Sequence, residues 1–131
     1  MKKPFSLLIL TIIMALLAGC SNNGPNIQLE LESFEFGDVV NGNIVSKDVM
    51  IYNTGTAPLN IEQVTTSCGC TTAEVSQSEI APDESAVLHI EFDSGAHGPE
   101  MTGTLTRQVF VATDDPDQPD LIVQFTVNVV K

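Results

Sequence analysis

Tryptophan is absent, tyrosine occurs once, and lysine and arginine together number five in 131 residues. Without Trp, an antibody-type core with an indole packed on an inter-sheet disulfide is excluded, so any core must rest on Phe, Ile, Val and Leu. The few bases face 17 acids, giving a formal net charge of −12. Nucleic acid and anionic lipid head groups repel such a surface, which excludes nucleic-acid binding as the function. Recognisable catalytic motifs are missing too: there is no H-E-x-x-H, no glycine-rich phosphate loop and no nucleophile elbow. Ser67, Ser85 and Ser94 have acids or a histidine nearby but no such motif around them. The sequence reads as that of a non-enzyme.

What is present begins with Lys2 and Lys3, followed by an apolar run from Leu7 to Ala18. That run is shorter than the ~20 residues that cross a hydrocarbon layer comfortably. A basic start, a short apolar stretch and small residues after it make a secretory signal. The end of the run, L-A-G-C at 17–20, resembles the bacterial lipobox, whose cysteine is diacylated and becomes the first mature residue. The resemblance implies a cleaved lipoprotein signal peptide over 1–19 and a lipid on Cys20 that ties the chain to a membrane. Residues 20–26 then form a polar tether, and 27–131 are long enough for one domain. Lys47, Arg107 and Lys131 are the only bases left after cleavage, so the mature charge is 3 − 17 = −14. Solubility is the bland account of that acidity; attraction of cations or basic partners is the sharper one. Ser21 stands where an aspartate commonly retains such proteins in the inner membrane, which favours the outer membrane in a cell that has one.

From Ile27 onward the alternation is strand-like almost throughout. Leu29 and Leu31 alternate with Glu30 and Glu32; the phase slips at Ser33, as at a bulge, and Phe34 and Phe36 follow. G-D-V-V-N-G-N (37–43) reads as turn and connection. Further strands are expected over 44–52, 58–64, 72–76, 86–92, 104–113 and 121–130, the last with Leu121, Val123, Phe125, Val127 and Val129 on one face. About seven short strands between turn signals, with no helical period, predict an all-β, immunoglobulin-like antiparallel β-sandwich.

Six landmarks carry a more specific likeness: F-E-F-G-D-V (34–39), N-T-G-T-A-P-L-N-I (53–61), V-T-T-S-C-G-C-T (64–71), I-A-P-D-E (80–84), F-D-S-G (92–95) and A-T-D-D-P (112–116). In order and spacing they resemble the family of exported bacterial proteins and lipoproteins known as domain of unknown function 1573. That family is similar to the Hydin- and ASPM-like immunoglobulin domains, which are non-catalytic modules. The resemblance implies an immunoglobulin-like sandwich over about residues 30–130 and brings no activity with it.

S-C-G-C-T is the most distinctive landmark, and four readings of Cys68 and Cys70 stay open. They can form a disulfide across Gly69, if the chain bends there to bring the Cα atoms within ~7 Å; glycine permits that bend by accepting positive φ. They can bind a soft ion, Cu(I) being the natural one for two sulfurs. Zinc would need about four ligands, with His97 and Met101 in the glycine-rich loop as further candidates and His89 less well placed on the wet face of its strand. One cysteine can bond to another molecule, or both can be buried small residues; free thiols in an exported protein tend to oxidise. Asp114, Asp115, Asp117 and Asp120 share a turn whose oxygens could hold Ca²⁺, against the simpler account of a Pro-rich hairpin tip.

The expected function is a lipid-anchored envelope module that binds or scaffolds a protein or a glycan without catalysis. The alternative is a redox-active or Cu(I)-handling lipoprotein using Cys68 and Cys70.

Overall fold

The protein is described by a computed structural model over residues 23–131; the signal peptide and Cys20 lie outside the described residues. Among the described residues, nine strands make two facing sheets: β1 (Ile27–Leu29), β2 (Ser33–Val40), β3 (Ile44–Asn53), β4 (Leu59–Thr66), β5 (Thr71–Val75), β6 (Glu79–Ile80), β7 (Ser85–Asp93), β8 (Gly103–Thr113) and β9 (Asp120–Val130). One sheet has the order β1-β3-β7-β5, the other β2-β9-β8-β4-β6. No helix occurs among the described residues, so none there is long and apolar enough to cross a membrane.

The inner faces follow the alternation of the sequence. Leu88, Ile90 and Phe92 of β7 and Val123, Phe125, Val127 and Val129 of β9 are buried between the sheets. Phe125 stands at the centre, its ring centroid 5.5 Å from Phe34, 5.2 Å from Phe36 and 5.7 Å from Phe92. This cluster supplies the aromatic packing that the missing Trp would otherwise give.

Three expectations need correction. The strand count among the described residues is nine because the segment read as one bulged strand is two and because β6, a two-residue strand too short to show alternation, adds another. After β1 pairs with β3, the chain crosses at residues 30–32 to the other sheet, where β2 pairs with β9. A phase slip has the same sequence pattern whether a strand bulges or changes sheet. The sandwich is not antiparallel throughout, since β2 and β9 run parallel. The segment 37–43 is strand as far as Val40, and the turn is confined to Asn41–Asn43. Gly37, at φ 72°, takes the left-handed conformation that lets β2 pass its irregularity between Glu35 and Gly37 and continue pairing.

Candidate functional site

The strand directions bring the landmarks to opposite ends of the sandwich. At one end lie residues 24–26, 53–58, 78–84 and 113–119; at the other lie 41–43, 67–70 and 94–102. Asn53, the last residue of β3, is fully buried at the first end. Its side-chain amide donates to the carbonyls of Ala57 (2.8 Å) and Ile80 (2.9 Å), and its oxygen accepts from the amides of Gly55 (3.0 Å) and Asn26 (3.3 Å). Gly55 lets the N-terminal segment lie against this loop: a Cβ there would collide with the backbone of Gly24, Pro25 and Asn26. The Gly24 carbonyl in turn accepts from Thr56, and that of Asn26 from Thr54. The N-T-G landmark is therefore a clamp on the start of the domain.

Asp115, of the A-T-D-D-P landmark, is buried at the same end and accepts from the amides of Ile27 (2.8 Å) and Asp117 (2.8 Å). Asp114 instead accepts from the side-chain and backbone nitrogens of Asn60. These carboxylates face different donors and do not converge as the Ca²⁺ reading requires; Asp120 begins β9, exposed. The serines have framework roles as well. Ser94 is buried, donating to the carbonyls of Val40 or Asn43; Ser67 accepts from the Gln108 amide; and Ser85 pairs with Tyr52 across β7 and β3.

The cysteine pair occupies the turn between β4 and β5 at the opposite end. Cys68 and Cys70 are joined as a disulfide with Cα atoms 5.2 Å apart, so the chain does bend, within the range such bridges use. Gly69 does not take a positive φ, contrary to expectation. The bend is instead an ordinary tight turn, closed by the Thr71 amide donating to the Cys68 carbonyl at 3.2 Å. The Thr66 hydroxyl lies within bonding distance of the carbonyls of Cys68 and Thr71, at 3.1 and 3.0 Å. Cys70 is buried, while Cys68 is half-buried.

Two side chains from distant sequence meet the sulfurs. His97 Nε2 lies 3.6 Å from Cys68 Sγ, and Arg107 Nε donates to Cys70 Sγ at 3.2 Å. The ligand atoms of Cys68, Cys70 and His97 all fall within 4.8 Å of one another, the only such group of three or more His, Cys, Asp or Glu among the described residues. Met101 is engaged through its backbone, its amide donating to Gly98 and its carbonyl accepting from Asn41. His89 is remote from the pair, on the outer face of β7, with Nδ1 2.6 Å from Asp48 of β3. Sequence reasoning missed Arg107. Its signal is parity: on β8 it shares the inward phase of Leu105, Val109, Val111 and Thr113, where an arginine needs a partner.

With the geometry of these landmarks in place, comparison with known proteins decides the family. The family model described as "Protein of unknown function (DUF1573)" matches residues 27–129. The chain belongs to this family. No curated protein matches it. Among solved structures, a protein of unknown function from Porphyromonas gingivalis W83 is similar at 22% identity and TM-score 0.74, over 85% of this chain and 50% of that one. The ASH/PapD-like domain 7 of human CEP192 is similar at 12% identity and TM-score 0.59, over 80% and 85% of the two chains. The YadV chaperone aligns at 15% identity and TM-score 0.55, over 79% and 50%. This DUF1573 chain thus spans about half the length of the P. gingivalis protein, and its likeness to all three lies in the fold.

Proposed function

We propose that the protein is a lipid-anchored, non-catalytic binding or scaffolding module of the cell envelope, held through Cys20 and facing another envelope protein. In a cell with an outer membrane, that membrane carries the anchor. The observation that carries the binding role is on the outer face of the five-stranded sheet. Phe110 of β8 and Ile122 of β9 are cross-strand partners, 37% and 46% exposed. They line a shallow groove with Gln63, Thr65, Ala112, Asp120 and Leu121. An aromatic–aliphatic pair with a few polar neighbours suits a protein surface. The rest of the acidic surface keeps the module soluble and repels anionic lipid.

Site-specific photocrosslinking in intact cells tests this reading. A photoreactive residue at position 110 or 122 is expected to give discrete protein adducts, and one at Asp48 on the opposite sheet is not. Equal labelling from both faces, or adducts to polysaccharide that survive protease, would overturn it. The anchor is tested separately: Cys20→Ser should leave an unprocessed or mislocalised precursor, while the wild-type protein partitions into detergent. A second reading, a redox-active or Cu(I)-handling lipoprotein, is favoured by a different observation, the approach of His97 to the Cys68 sulfur.

A further inference from the structure

We propose that reduction of the Cys68–Cys70 disulfide opens a three-coordinate site for Cu(I), made of the two sulfurs and His97 Nε2. A trigonal set with metal–ligand bonds of roughly 2.0–2.3 Å places its donor atoms about 3.5–4 Å apart. The Cys68 sulfur and His97 Nε2 already stand at 3.6 Å. Cleaving the bond between the two sulfurs lets them separate, and the Cys70 sulfur, already within 4.8 Å of His97 Nε2, completes the set by a side-chain rotation.

The third ligand is held in place by its loop. Gly98 and Met101 close successive turns on Gly95 and Gly98, with amide-to-carbonyl distances of 3.0 and 3.3 Å. Asn41 braces the same loop from the β2–β3 turn, its side-chain amide donating to the carbonyls of Gly98 (3.0 Å) and Met101 (2.7 Å). The loop is therefore pinned on both sides of His97, and little ordering remains for an ion to impose.

Charge selects the ion. A dithiol reductant gives two electrons and two protons to the disulfide and becomes a disulfide itself, leaving two thiols on this chain. Cu(I) then displaces both thiol protons and accepts the lone pair of the neutral imidazole, so the set of one cation and two thiolates carries a net −1. Arg107 offsets that charge, with its Nε–H already aimed at the Cys70 sulfur at 3.2 Å. The Cys70 amide donates to the Cys68 sulfur at 3.0 Å. Such donors to ligating sulfur orient and tune a metal site. Zn²⁺ prefers four ligands, and no further His, Cys, Asp or Glu joins the three among the described residues. Two soft sulfurs and an imidazole suit Cu(I). The site is thus redox-gated: closed as the disulfide and open as the dithiol. It lies apart from the Phe110–Ile122 face and does not depend on any partner there.

The test uses the full chain in detergent with Cys20→Ser, so that only Cys68 and Cys70 can supply thiolate. Protein reduced by a dithiol and freed of it without air is titrated with Cu(I) against a colorimetric Cu(I) chelator. One ion per reduced chain is expected, and none on the oxidised chain. Cys68→Ser and Cys70→Ser should each weaken binding by about 100-fold or more, and His97→Ala and Arg107→Gln by about tenfold. X-ray absorption should read two sulfurs and one nitrogen, with the nitrogen lost in His97→Ala. Because His97 is exposed on a loop, its variant keeps the fold, checked by circular dichroism, and stands as the decisive one should Cys70→Ser unfold. Unchanged affinity in His97→Ala, copper on the oxidised chain, or Zn²⁺ bound more tightly than Cu(I) would overturn the assignment.

Discussion

The two ends of the sandwich use the same short polar landmarks to opposite effect. At the Asn53 end, buried polar atoms are saturated by backbone partners, and the start of the domain is clamped between Gly55 and Asp115. At the Cys68 end, the distinctive residues are half-exposed or touch one another through side chains. A saturated polar cluster fixes a fold and has no bonding capacity left for a ligand. Sulfurs met by an imidazole and a guanidinium retain such capacity. The difference teaches that a landmark's prominence in sequence does not say whether it builds or binds; its partners do.

The comparison is broken most severely by a change that weakens both ends together. Phe125 is fully buried between them, against Phe34, Phe36 and Phe92. Phe125→Ala is expected to destabilise the domain by about 3–5 kcal/mol in denaturant unfolding. A loss within ~0.5 kcal/mol would mean that the inner face of β9 is not the core. Next is Asn53→Ala, which removes two donors and one shared acceptor from a site closed to water. It should cost about 2–4 kcal/mol, and hydrogen exchange should rise first at residues 24–29.

The Cys68 end should respond far less. A bridge across one residue restricts the unfolded chain little, so reduction should lower stability by less than about 2 kcal/mol. A larger midpoint shift would make the bridge a structural staple and erase the contrast between the ends. Gly69→Ala sharpens the point: Gly69 has ordinary φ, and nothing stands within 4 Å of an added Cβ. Its effect on stability should stay within about 0.5 kcal/mol.

What was legible in the sequence divides along the same line. Period-2 alternation named the buried faces of β7 and β9 because each inward residue is apolar and each strand is long. It could not place β1 and β2 in different sheets, since Leu31 to Ser33 carries no mark of which neighbour pairs next. The glycines and asparagines of 37–43 read as a turn, although only Asn41–Asn43 form one. At the site, the spacing of Cys68 and Cys70 was visible and His97 was a named candidate from its glycine-rich loop, but Arg107 was missed. His97 lies 29 residues beyond Cys68 and Arg107 37 beyond Cys70, brought there by the pairing of β5 with β7 and of β4 with β8. Arg107 also left a trace, a base on the inward phase of an apolar strand.

The smallest expected effect belongs to the Asn53 end and separates the ends by pH. Asn60 donates to both carboxylate oxygens of Asp114, at 2.7 Å from its side chain and 2.8 Å from its backbone. The side-chain bond first, and the backbone bond after it, hold the Asp114 carboxyl below its ordinary value of 3.8. A group whose folded value is depressed adds stability that is fully present above its unfolded value and is lost as pH falls through the folded one. The contribution of Asp114 should therefore be intact at neutral pH and fade below about pH 4. Asp114 is exposed to solvent, so screening keeps the effect small. Asp114→Asn should flatten the acid limb of a stability–pH curve slightly, and the cysteine variants should leave its shape unchanged. An acid limb that moves with Cys68→Ser but not with Asp114→Asn would reverse the assignment of the two ends.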